Sequence, residues 1–71
     1  MIYKTPDLYL SAYLKAKDYV VSIKRDKGRC FFEFVDVSDD VVNSFYNNAP
    51  IGVTAYKNAL QDLKSMIYNK G

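Results

Sequence analysis

Two apolar runs, Tyr19-Val20-Val21-Ser22-Ile23 and Cys30-Phe31-Phe32-Glu33-Phe34-Val35, are separated by the charged segment Lys24-Arg25-Asp26-Lys27-Gly28-Arg29. That punctuation constrains the fold more than any other feature of the chain. Lys27-Gly28 suits a two-residue hairpin turn, which pairs Ile23 with Phe32 and Val21 with Phe34 and places all four on one face. A slip of one residue would send the aromatics to the other side, so turn and apolar pattern agree on a single register. The second face then carries Val20, Phe31 and Val35 beside Ser22, Lys24 and Glu33. It is half apolar. Two strands do not stand alone in water, so helices are expected on the first face, while the second is open to a partner chain.

The flanking segments supply those helices. Thr5-Pro6-Asp7 reads as a helix start: Thr5 to cap free amides, Pro6 for the first helical position and Asp7 for the positive end of the dipole. The spacing predicts a helix from about Pro6 to Ala16, whose Leu8, Tyr9, Leu10, Ala12, Tyr13, Leu14 and Ala16 cover more than one stripe, as in a helix contacted on two sides. Ser38-Asp39-Asp40 is a second cap signal. Val41, Val42, Phe45 and Tyr46 then recur at helical spacing until Asn47-Asn48-Ala49-Pro50 stops the element. From about Thr54 to Asn69, Tyr56, Ala59, Leu60, Leu63 and Ile67 form one stripe, with Lys57, Asn58, Gln61, Asp62 and Lys64 away from it. Tyr46 and Tyr56 read as core residues. The expected fold is a single α+β domain spanning 1–71, in the order α-β-β-α-α, with an antiparallel β-hairpin packed by helices.

A chain of 71 residues has little margin over the entropy of folding. With one cysteine, Cys30, and no histidine, neither an internal disulfide nor a zinc-type ligand set is available to compensate. Dense packing and self-association remain, and apolar residues at 49% of the chain suffice for both. A homo-oligomer is therefore expected, with Val20, Phe31 and Val35 as the shared patch.

The sequence also resembles a family of small bacterial and phage proteins known only as a domain of unknown function. The residues that carry the likeness are Thr5, Asp7-Leu8-Tyr9-Leu10, Leu14, Arg25-Asp26, Phe32 and Phe34, followed by Phe45-Tyr46-Asn47, Val53, Tyr56, Leu60 and Leu63-Lys64. They span nearly the whole chain, and most are core and cap positions. The resemblance implies an architecture and a prokaryotic or phage source. It carries over no activity and no catalytic residue.

Little in the chain suits catalysis. Without histidine, Cys30 has no imidazole base, and its side of the strand, shared with Phe32, suits an inert buried thiol. Asp39 and Asp40, in the first turn after Ser38, suit the helix dipole better than a metal or acid-base role. Gly28, Gly52 and Gly71 are isolated and form no phosphate loop. No enzyme, metal or cofactor is expected. Residues 1–6 hold no apolar run of signal-peptide length, and no stretch approaches the roughly 20 residues of a membrane span. With a lone thiol, this points to the cytoplasm.

Two features remain for function. Net charge is only +2, but it is polarised. The first 30 residues hold Lys4, Lys15, Lys17, Lys24, Arg25, Lys27 and Arg29 against Asp7, Asp18 and Asp26, while carboxylates outnumber cations in the rest. Lys24, Arg25, Lys27 and Arg29 cluster at the hairpin tip, where cations can track phosphates, although the run also reads as a solvated turn partly neutralised by Asp26. The second feature is the 7 tyrosines. Tyr9 and Tyr13, one helical turn apart, are the candidates for stacking on a ligand. The sequence thus points first to a non-catalytic, homo-oligomeric binding module for a phosphate-bearing ligand, a nucleic acid or nucleotide; the resemblance to phage proteins implies a phage accessory or counter-defence role. The runner-up is an interaction module or inhibitor of a host protein, and a small structural subunit is the weaker alternative.

Overall fold

The computed structural model describes residues 2–69; Met1, Lys70 and Gly71 lie outside them. The elements follow one another as β1 (Ile2–Thr5), α1 (Leu8–Ala16), β2 (Val21–Asp26), β3 (Arg29–Val35), α2 (Asp39–Tyr46) and α3 (Val53–Asn69). The fold is α+β, and its antiparallel sheet has the strand order β1-β3-β2. The hairpin forms in the expected register, with Val21 opposite Phe34 and Ile23 opposite Phe32. Its turn residues Lys27 (φ 51°) and Gly28 (φ 80°) both lie in the left-handed region, as the favoured two-residue turn requires.

The order departs from α-β-β-α-α at the N-terminus. Residues expected to lead into a helix form β1, which pairs with β3 from Ile2 opposite Val35 to Thr5 opposite Phe32. The cap moves accordingly. Thr5 belongs to the strand and accepts the Asp7 amide on its hydroxyl, whereas Asp7 is the cap of α1, its carboxylate accepting the amides of Tyr9 and Leu10 at 3.0 and 3.1 Å. Ser38 caps α2 as expected, accepting from the Val41 amide.

Helices α1 and α2 end without glycine. Asp18 (φ 72°) and Asn48 (φ 60°) adopt the left-handed conformation instead. The Tyr19 amide then donates to the Leu14 carbonyl and the Ala49 amide to the Ser44 carbonyl, each satisfying a carbonyl of the helix's last turn.

Buried residues Leu10, Ser11, Ala12, Tyr13 and Leu14 run consecutively along α1, so this helix is packed on more than one side. Its core partners are Ile23, Phe32 and Phe34 from the sheet and Ala59 and Leu63 from α3. Val41, Val42 and Phe45 of α2 close over the cluster, with the Phe45 ring 5.4 Å from that of Tyr13. The buried hydroxyl of Ser11 is satisfied by donation to the Asp7 carbonyl. On α3 the expected stripe faces inward and Lys57, Asn58, Gln61, Asp62 and Lys64 are exposed. Tyr46 does not join the core. It is 61% exposed, because Phe45 takes the inward position at that turn of α2. Tyr56, also expected in the core, is half-buried and packed against it.

Candidate phosphate-binding face of the sheet

Strand alternation divides the sheet into two surfaces. Tyr3, Thr5, Val21, Ile23, Arg25, Cys30, Phe32 and Phe34 share the face turned to the helices. Ile2, Lys4, Ser22, Lys24, Asp26, Arg29, Phe31, Glu33 and Val35 share the other. The core lies wholly on the first face. On the second, Lys4, Ser22, Lys24 and Arg29 are exposed, and Ile2 and Val35 keep 56% and 54% of their surface in solvent. Among the described residues no element covers this face.

The open face has two ends. One is apolar: Ile2 pairs directly with Val35, and the exposed Val20 immediately precedes β2. The other is basic and centres on Phe31, which sits on β3, the middle strand, and is half-buried. Lys24 lies opposite Phe31 on β2. From β1, the Lys4 ammonium reaches over the ring, 4.6 Å from its centroid, a favourable cation–π distance. Arg29 lies on the same face two residues away along β3, and Lys27 stands beside it at the turn. Glu33 and Asp26 offset part of this charge.

The structure separates the residues singled out in the sequence. Lys24, Lys27 and Arg29 remain together at the basic end. Arg25 lies on the helix-facing side and donates to the Ile67 carbonyl at 2.8 Å, tying the hairpin to the last turns of α3. Tyr9 is exposed on α1, and its carbonyl accepts from the Tyr56 hydroxyl, so it belongs to the helical layer. Tyr13 is only 2% exposed and leaves no ring face for a ligand; the core has claimed it, with the Lys17 ammonium 5.4 Å from its centroid. Sequence reasoning counted Lys4 in the basic half of the chain but did not place it at the site. The alternation in Ile2-Tyr3-Lys4-Thr5 was the available signal, but it spans four residues.

Other chemistry on the molecule is sparse. Cys30 shares the helix-facing side with Phe32 as expected but is half-buried rather than buried, because it lies opposite the exposed Arg25 near the turn, beyond the reach of the core. Among the described residues no cluster of carboxylate, thiol or imidazole groups is placed to hold a metal ion, and no helix is long and apolar enough to cross a membrane. A shallow groove of about 600 Å³ runs between the end of α1 and the start of α3, past Ala16, Tyr19, Val41 and Ile51. Lys17 borders it. Near the start of α1, the Tyr46 hydroxyl donates to Asp7 at 3.4 Å. Partial desolvation and then the Asp7 carboxylate push the phenol pKa of both Tyr46 and Tyr56 upward.

Comparison with known proteins finds no matching family model, no similar curated protein and no similar solved structure.

Proposed function

We propose that this protein is a non-catalytic, homo-oligomeric binding module for a phosphate-bearing ligand, a nucleic acid or a nucleotide, acting in the cytoplasm of a prokaryotic cell or phage-infected host. The observation that carries the reading is the gathering of Lys4, Lys24 and Arg29 on one uncovered sheet face, with Lys27 at its edge. Cations held on paired strands are positioned by the backbone, so they meet a row of phosphates without ordering a loop first. Arg25 serves the fold, through the Ile67 carbonyl, and is assigned no ligand contact. Of the apolar patch expected from the sequence, Val35 and Val20 lie at one end of this face beside Ile2, whereas Phe31 sits among the cations at the other; the apolar end supports self-association of two copies.

Replacing Lys27 and Arg29 together by glutamine tests the reading. Both side chains are exposed, so the fold should survive, as circular dichroism would verify. Binding of a labelled oligonucleotide at low salt should weaken, and the dependence of affinity on salt should become shallower. Unchanged affinity in the folded double variant would remove the basic end as the site. Failure of the parent protein to bind any phosphate ligand at low salt would favour the protein-interaction reading instead.

A further inference from the structure

Phe31 has the placement of a stacking platform. It is the aromatic residue of the open face, on the central strand, with a lysine on each neighbouring strand. The ring face is already used by a cation: Lys4 Nζ sits 4.6 Å from its centroid. That contact shows the π surface to be reachable from the solvent side and holds it with a flexible group. A planar base can displace the ammonium, and the displaced ammonium then stands beside the base, where the backbone phosphate lies.

We propose that the ligand of this face is single-stranded nucleic acid, with one base stacked on Phe31 and the flanking phosphates held by Lys4, Lys24 and Arg29. The proposal rests on the phosphate-binding reading above and specifies its ligand. Duplex is disfavoured because each base within it is already stacked on both faces, leaving Phe31 nothing to pair with. A free nucleotide is disfavoured by shape. Small ligands bind where roughly 70–90% of their surface is enclosed, whereas this face is open, with Ile2 and Val35 more than half exposed. A flat platform grips each nucleotide weakly, and a strand gains by adding stacking to several phosphate contacts. Charge complementarity points to a polyanion: Lys4, Lys24 and Arg29, with Lys27 at the turn, outnumber Glu33 and Asp26 on this face, and a strand carries a regular row of phosphates to meet them.

Fluorescence anisotropy decides the matter with three probes at one low salt concentration: a labelled oligothymidine, a duplex of equal length, and thymidine monophosphate as competitor. The single strand should bind more tightly than the duplex, and the mononucleotide should compete poorly. Phe31→Ala should weaken single-strand binding about 5- to 150-fold, the usual effect of losing one stacked base. Phe31→Tyr, which keeps the ring, should retain it. Circular dichroism checks the fold; if the alanine variant is unfolded, Phe31→Leu keeps the apolar bulk without the flat face and should show a loss of the same kind. Equal binding of strand and duplex, unaffected by Phe31→Ala or Phe31→Leu, overturns the stacked-strand proposal and leaves phosphate binding standing. Competition by the mononucleotide at strand-like affinity overturns it as well. No binding of any probe overturns both readings.

Discussion

Lys27 is both the strained residue of the hairpin turn and one of its cations, so its replacement separates stability from binding. Its φ of 51° places a side-chain-bearing residue in the left-handed region, which costs an ordinary L-residue roughly 1–2 kcal/mol. Asparagine tolerates that conformation and is favoured before glycine in this turn. Lys27→Asn should therefore stabilise the fold by about 0.5–1 kcal/mol, whereas Lys27→Gln removes the same charge without relieving the backbone. For a domain of this size 1 kcal/mol moves Tm by roughly 4–8 °C, so the asparagine variant should melt about 2–8 °C above the glutamine variant. Binding should behave differently. If Lys27 meets a phosphate, both variants lose the same contact, and the slope of log affinity against log salt on a single strand should shrink by about 0.7 in each. Thermal unfolding followed by circular dichroism and anisotropy across a salt series read the two effects independently. Equal melting temperatures would refute the turn-strain argument, and an unchanged salt slope would remove Lys27 from the ligand site.

Further outcomes follow from the core, the apolar end and the tyrosines. Phe32 is 1% exposed, and Phe32→Ala should cost about 3–5 kcal/mol in urea titration, comparable to the whole stability of a domain this small. A loss under about 1 kcal/mol would contradict the packing described. Light scattering should find the parent above monomer mass and Val35→Lys shifted toward monomer, since the substitution places a charge on the Ile2–Val35 end of the open face; a parent that stays monomeric at high micromolar concentration would contradict self-association. Because Tyr46 and Tyr56 hold their phenol protons above the usual value of 10.0 in the folded state, that linked stability is present below it and lost as pH rises through the folded values. Tyr46→Phe with Tyr56→Phe should accordingly flatten the alkaline decline in stability, and an unchanged decline would assign it to other groups.

How much of this was legible in the sequence differs by element. The hairpin, its register and its turn were readable because Gly28 and the alternation of Val21, Ile23, Phe32 and Phe34 are local signals that agree. Helix α3 was readable from its single stripe and α2 from Ser38. Strand β1 was not, since Ile2–Thr5 is four residues long and becomes a strand by pairing with β3, a contact across some thirty residues that local pattern does not encode. That omission displaced the cap from Asp7 to Thr5 and hid Lys4 from the site. Alternation along β2 and β3 already implied that Lys24 and Arg25 point to opposite faces, but Arg25's commitment to Ile67 depends on where α3 ends. Helix α1 is apolar on nearly every side, so nothing in its spacing told the buried Tyr13 from the exposed Tyr9.

Heteronuclear NMR of the isotopically labelled protein during titration with oligothymidine tests the central claim, that the open sheet face is the ligand site, most directly. The account predicts that the Phe31 ring and the amides of Lys4, Lys24 and Arg29 shift progressively and saturably, while residues of α1 and α3 away from the sheet stay in place. Shifts confined to the helical layer around Tyr9 and Tyr56, or none at saturating strand concentration and low salt, would contradict it.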